Sequence, residues 1–242
     1  MTPRDNLHEA EEKRIRQVYA GRDASGKPDL YAWYKLDALF NQCRFRTVAV
    51  SLMSSQGIRD LSQLEVLDIG CGTGMWLRTL LEWGADDRRL HGIDLLEDRI
   101  HRAKVLCPGV DFHIASGYHI PFLSHSMDLI SAHTVFSSII RPDLRGTLAA
   151  EILRVLKPDG MILIYDYRIS DPRNADTVGI RRAEVRRLFP NTSIQFRSLT
   201  LAPPISRIVA PVFPLLAHIL ESWFPFLRTH AFHLIRQRSL EN

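Results

Sequence analysis

An apolar run that ends in an acid and passes at once into alternating glycines, VLDIGCGTGMW at residues 66–76, leaves few folds open to this chain. A buried strand ends at Asp68, and Gly70, Gly72 and Gly74 then let the backbone turn tightly, with no side chain between it and a ligand, before a helix starts. Twenty residues beyond Gly74, the stretch GIDL at 92–95 sets Asp94 at the end of the next strand, where a carboxylate can accept hydrogen bonds from both hydroxyls of a ribose. Together they describe a cradle for a nucleoside-bearing small molecule.

The flanking pattern agrees. Short apolar runs alternate with helical spacing from residue 64 to 167, the sign of β-α-β units and a parallel sheet. Strands are expected at 65–69, 90–94, 111–115, 127–132 and 161–167, with crossover helices at 74–83, 97–107 and 144–156 and a stop at the KPDG of 157–160. Two further strands are expected at 193–201 and 231–235. Before them come a loop at 171–180 and a short helix carrying Arg181, Arg182, Arg186 and Arg187. Residues 1–60 read as a helical extension or lid, with helices at 9–20 and at 33–56, the second broken near Cys43, separated by a loop at 21–29.

Composition narrows the setting. With 242 residues, 45% hydrophobic and 24% charged, the chain can bury a full core without disulfides or metal staples. Cys43, Cys71 and Cys107 are too few and too dispersed for a disulfide framework or a zinc site, and the charged N-terminal stretch lacks the apolar core of a signal peptide. A cytoplasmic, reducing location is the expectation. His113, His119, His125 and His133 match no metal-binding spacing, so no metal is expected. Of the net charge of +4, the surplus lies in residues 171–242, with 10 basic and 5 acidic side chains. That surplus is either an anion-facing surface or a solvated face.

Glycine spacing then discriminates between nucleotides. A dinucleotide fingerprint from Gly70 would need glycine at 75, where Met75 stands. The D-x-G-x-G-x-G run followed by Asp94 instead resembles the first two motifs of the class I S-adenosylmethionine-dependent methyltransferases. The resemblance covers residues 60–170. It extends to Ile120-Pro121-Phe122 with Ser126-Met127-Asp128, similar to an "LPF…SFD" stretch of the small-molecule branch, and to LRVLKPDGMILI at 153–164, similar to its last helix, turn and fifth strand. It implies an α/β, Rossmann-like, mostly parallel seven-stranded sheet with helices on both faces and the last strand antiparallel. It also implies S-adenosylmethionine as cofactor, held by Asp68, Gly70, Cys71, Gly72, Gly74, Asp94 and Leu95, and by Ser116, Gly117 and Tyr118. Ser116 stands where relatives commonly place an aspartate facing the adenine amine.

Residues 61–242 are accordingly expected to form the catalytic domain, transferring a methyl group to a small-molecule, sugar- or lipid-linked acceptor. His133, just past the fourth strand, reads either as a base for a hydroxyl acceptor or as a packing or cofactor-contact histidine; the first reading favours O-methylation. Asp166, with Tyr167 and Arg168, leaves the fifth strand at the ligand-facing end and is read as a catalytic or substrate-contact group, or as a strand cap. Trp33 and Tyr34 are either lid or core anchors. The apolar stretch 203–227 is interrupted by five prolines and holds Arg207 and Glu221, so it is no spanning helix. It reads as an insertion (202–229) that shapes the acceptor site, or as a peripheral membrane contact. The alternatives are an RNA or other nucleic-acid methyltransferase, though SAHTVFSS replaces the (D/N/S)PP(Y/F) stretch of the enzymes that act on exocyclic amines in DNA, or a non-catalytic S-adenosylmethionine-binding protein.

Overall fold

The computed structural model describes residues 3–24, 34–171 and 174–237. Its seven strands are β1 (Val66–Ile69), β2 (Leu90–Asp94), β3 (Asp111–Ile114), β4 (Met127–His133), β5 (Leu156–Tyr167), β6 (Thr192–Leu201) and β7 (Arg228–Gln237). They form one sheet in the order β3-β2-β1-β4-β5-β7-β6. The pairs β1–β2, β1–β4, β2–β3 and β4–β5 are parallel, whereas β7 runs antiparallel between β5 and β6. All four residues of central β1 are buried, as an inner parallel strand covered on both faces requires.

Helices α3 (Met75–Glu82), α4 (Glu97–Leu106), α5 (Pro142–Val155) and α6 (Arg182–Leu188) follow the crossovers. The N-terminal helices are α1 (Pro3–Ala24) and α2 (Leu36–Ser55), and α7 (Pro203–Val209) and α8 (Pro214–Trp223) lie between β6 and β7. One core layer joins α1, α5 and α6 through Ile15, Ile152 and Val185; the other joins α2, α3 and α4 through Leu52, Leu77 and Ile100. Strand β5 shows why: Ile162 and Ile164 enter the first layer, Met161 and Leu163 the second, the two-residue period of a pleated strand.

Several boundaries differ from expectation. Helix α2 runs unbroken through Cys43, and α1 is longer than residues 9–20, reaching Ala24. The N-terminal residues do not form one unit, because α1 and α2 pack on opposite faces of the sheet. The KPDG stretch does not precede the fifth strand but bulges within it: Leu156 pairs with Met127 and Met161 with Leu129, so residues 157–160 have no ladder partner on β4. Trp33 lies outside the described residues, and Tyr34 is exposed. Arg181, Arg182, Arg186 and Arg187 are all exposed, and Arg182 lies over the Phe196 ring. No helix among the described residues is long and apolar enough to cross a membrane.

Candidate active site

The turn after β1 is fixed by backbone geometry and by one carboxylate. Gly70 adopts φ +66, and a Cβ there would lie 2.6 Å from Val135 Cγ2, so only glycine fits. Cys71 N–H donates to the Ile93 carbonyl (3.0 Å) and Gly72 N–H to Asp94 Oδ2 (2.9 Å), which ties the turn to β2. Leu96 N–H donates to Asp94 Oδ1 (2.9 Å). A carboxylate offers about four lone-pair sites. Two are used, and Asp94 keeps acceptor capacity on a side chain that lines the cleft beside it.

That cleft has a cavity volume of about 130 Å³ and is partly open to solvent. Of the residues singled out in sequence, Gly70, Asp94, Leu95, Ser116, Gly117, Tyr118 and His133 line it. Ser116 Oγ accepts from Tyr118 N–H (3.1 Å) and so shapes its own turn. Cys71, Gly72 and Gly74 are not on the cleft wall; they form the turn behind it. Cys71 is buried, and burial, with Asp68 and Asp94 nearby, drives its thiol pKa far up, which fits an inert structural residue.

Asp68 also lies behind the wall. It is buried and accepts from Ser131 Oγ (2.7 Å) on neighbouring β4, joining the two central strands. Burial raises its pKa to about 7; the Ser131 hydrogen bond opposes this, and the charge of Asp94 adds to it.

Asp166 is not part of the cleft. Its buried carboxylate accepts from Ser137 N–H (3.1 Å) and Tyr167 N–H (2.8 Å), and burial raises its pKa to about 6 against those bonds and the charge of Arg145. It caps the short turn after β4 and lies outside the cleft lining. Residues 202–229 contribute no side chain to the cleft either.

His133 sits where β4 opens toward the cleft, but its ring is caged. Phe45, Trp76, Tyr165 and Phe232, from four different elements, surround it at centroid distances of 5.1 to 6.4 Å. Nε2 has no hydrogen-bond partner among the described residues. Desolvation lowers its pKa to about 3, so the ring is neutral at physiological pH.

The roof comes from α1, which supplies Ile15 and Tyr19 to the cleft. Arg16 donates to the Leu95 carbonyl, Arg14 to the Ser138 carbonyl, and Arg99 of α4 lies over the Tyr19 ring at 4.5 Å. Buried Glu11 accepts from Ile140 N–H (3.0 Å) and pairs with Arg14. His8 stacks on Tyr118 at 4.6 Å. Sequence reading missed Tyr19, Arg99 and Ser138, since no local pattern marks contacts made across such separations. The available signal was the aromatic Tyr19 four residues after Ile15 on one helical face.

Residues 66–160 match the family model described as a methyltransferase domain. The ubiquinone/menaquinone biosynthesis C-methyltransferase of Campylobacter jejuni is 28% identical over 108 residues, 43% of this chain and 45% of that protein. A sterol 24-C-methyltransferase of Gibberella zeae is 29% identical over 126 residues, 49% of this chain and 32% of that protein. The chain thus spans less than half the length of these curated relatives. A Pyrococcus horikoshii protein of known structure superposes with a TM-score of 0.58 at 16% identity, over 87% of this chain and 99% of its own, which bears on the fold alone. The glycine turn and Asp94 fall inside the matched residues, which are thus similar to a methyltransferase domain and to two C-methyltransferases.

Proposed function

We propose that this chain, built on a class I S-adenosylmethionine-dependent methyltransferase domain, moves a methyl group to a lipophilic small-molecule acceptor, and to carbon in preference to oxygen. Bound S-adenosylmethionine supplies a methyl group already activated by a sulfonium sulfur. What remains for the protein is to bind, align and exclude water. Asp94 receives the ribose hydroxyls on its unused lone pairs, Gly70 lets the backbone approach closely, and Leu95, Ser116 and Tyr118 border the base. Helix α1 acts as the lid, with Tyr19 and Ile15 facing inward.

The observation that carries the choice of carbon is the lack of a usable base. Asp94 is the one carboxylate on the cleft among the described residues, and both of its oxygens already accept backbone N–H bonds. His133 is neutral but caged by aromatic rings, with its pKa lowered to about 3 by burial. Such a group accepts a proton poorly, so the preference for oxygen that rested on it gives way to an acceptor that is nucleophilic as bound, such as an electron-rich carbon. Two relatives named as C-methyltransferases, of ubiquinone/menaquinone biosynthesis and of sterols, agree with this reading.

Calorimetric titration with S-adenosylmethionine and, separately, NADH, on wild type and Asp94→Ala, tests the cofactor. Micromolar binding of the first that collapses in the variant is expected; binding of NADH alone overturns the class. Turnover with methyl-labelled cofactor and quinol, sterol and catechol acceptors then tests the atom. Label on oxygen, abolished by His133→Ala, would restore the base reading.

A further inference from the structure

The segment between β6 and β7 packs Ile205, Val209, Ala210, Ala217 and Leu220 inward but leaves most of its largest apolar side chains outside. On α8 the face turned to the protein carries Ala217 and Glu221, one helical turn apart and both buried, while Leu215, Leu216, Ile219 and Trp223 are exposed. On α7 the buried residue is Ser206, and Ile208 is exposed. Six apolar side chains, Ile208, Val212, Phe213, Leu215, Trp223 and Phe226, are 62–78% exposed on this one short segment. Isolated exposed apolar residues are ordinary, but a contiguous cluster of this size is an interaction face.

This arrangement is held firmly. Glu221 accepts from Thr200 N–H (2.7 Å) on β6 and pairs with Arg44 of α2, while Arg228 donates to the carbonyls of Glu221 and Ser222. Arg168, at the end of β5, donates to the Pro225 carbonyl (2.8 Å). The outward residues are therefore presented by a pinned scaffold.

Charge selects the partner. Between residues 203 and 237 the one acidic side chain is Glu221, and it is buried, whereas Arg207 is exposed beside the apolar cluster. The face is thus apolar, flanked by the exposed Arg207, and its own residues include no exposed carboxylate. Aromatic residues with a flanking cation suit the headgroup region of an anionic bilayer. A self-complementary contact would bring no carboxylate from this segment to Arg207. The segment leaves from the end of β6 and returns at the start of β7, beside the carboxyl end of β5, so it lies at the sheet edge onto which the cleft opens.

We propose that α7, α8 and the turn Pro225–Leu227 form a membrane-docking face that seats the protein on the surface of an anionic lipid bilayer without spanning it. The proposal does not depend on methyl transfer, because binding can be read without cofactor or acceptor. Flotation of the full chain with phosphatidylcholine vesicles, with and without phosphatidylglycerol, is the test. Wild type should float with the mixed vesicles and more weakly with the neutral ones. Trp223→Ser combined with Phe226→Ser should lower partitioning roughly tenfold, with the circular-dichroism melting curve unchanged. Leu123→Ser, at an equally exposed apolar site on the opposite edge of the sheet, should bind as wild type. Trp223→Phe should keep binding but lose the quenching of tryptophan fluorescence by brominated lipid. Failure of wild type to float, or undiminished binding by the double variant, overturns the proposal. So does a wild-type dimer in light scattering that ignores vesicles and becomes monomeric in the double variant, since the face would then serve a second copy.

Discussion

Helices α1 and α8 both lie at the carboxyl edge of the sheet and use opposite chemistry. Helix α1 is polar overall and turns Ile15 and Tyr19 toward the cleft, while buried Glu11 ties it to Ile140 N–H. Helix α8 is apolar overall and turns Ala217 and Glu221 inward, leaving its large side chains outside. A charged helix fastened by ion pairs and hydrogen bonds can lift and return in water without exposing much apolar surface. An apolar helix whose outer side chains are exposed gains by meeting a second surface. The contrast therefore separates a cover for the cofactor from an anchor for the whole protein.

The sharpest break would come at the cradle under α1. Gly70→Val adds a side chain where Val135 Cγ2 already stands 2.6 Å away at a positive φ, so cofactor binding should fall below detection in calorimetry. Next is the pin under α8. Glu221→Ala strands Arg44 and removes the acceptor of Thr200 N–H, and chemical denaturation should record a loss of about 3 kcal/mol. Glu11→Ala loosens α1 in the same way but less, by about 2 kcal/mol, since Arg14 is partly solvated. Its larger effect should appear as faster cofactor dissociation in stopped flow, which a purely structural helix would not show.

The pH dependence of stability reads the same contrast. His230 and His233 on β7, lowered by burial to about 3 and about 4, and His133, lowered to about 3, bind protons more readily once unfolded. Their contribution is full above the ordinary histidine range and is lost as pH falls. Asp68 and Asp166, raised to about 7 and about 6, work in the opposite sense, since their contribution is present in acid and is lost as pH rises through those values. Three histidines outnumber two aspartates, so stability should rise between about pH 4.5 and 6, each uncompensated proton adding about 1.4 kcal/mol per pH unit. Asp68→Asn removes one opposing group, and urea titrations across that range should show a steeper rise. The smallest effect belongs to the outer face of α8: Trp223→Ser should leave stability within about 0.5 kcal/mol of wild type, since Trp223 is 78% exposed.

Much of the cofactor half was legible because its signals are local. The glycine turn needs only Gly70, Gly72 and Gly74 in series, and Asp94 follows at the end of the next apolar run. Two-residue and three-to-four-residue periods gave the strands and crossovers, and the two late strands were recovered as well. Boundaries slipped where tertiary pairing overrode local punctuation: KPDG reads as a stop but bulges inside β5, because Leu156 finds Met127 before the turn.

Other features needed the assembled chain. Asp166 has the composition and position of a site residue, yet only packing aims its carboxylate at Ser137 N–H and away from the cleft. The environment of His133 is set by rings from α2, α3, β5 and β7, which no spacing in the sequence brings together. The sequence by itself determined the sheet, the nucleoside cradle and Asp94, since backbone turns and strand periods depend on near neighbours. Tertiary structure alone decided that His133 is neutral, that α1 covers the cleft and that α8 faces outward. Desolvation and long-range contacts belong to the folded arrangement and to no segment of it.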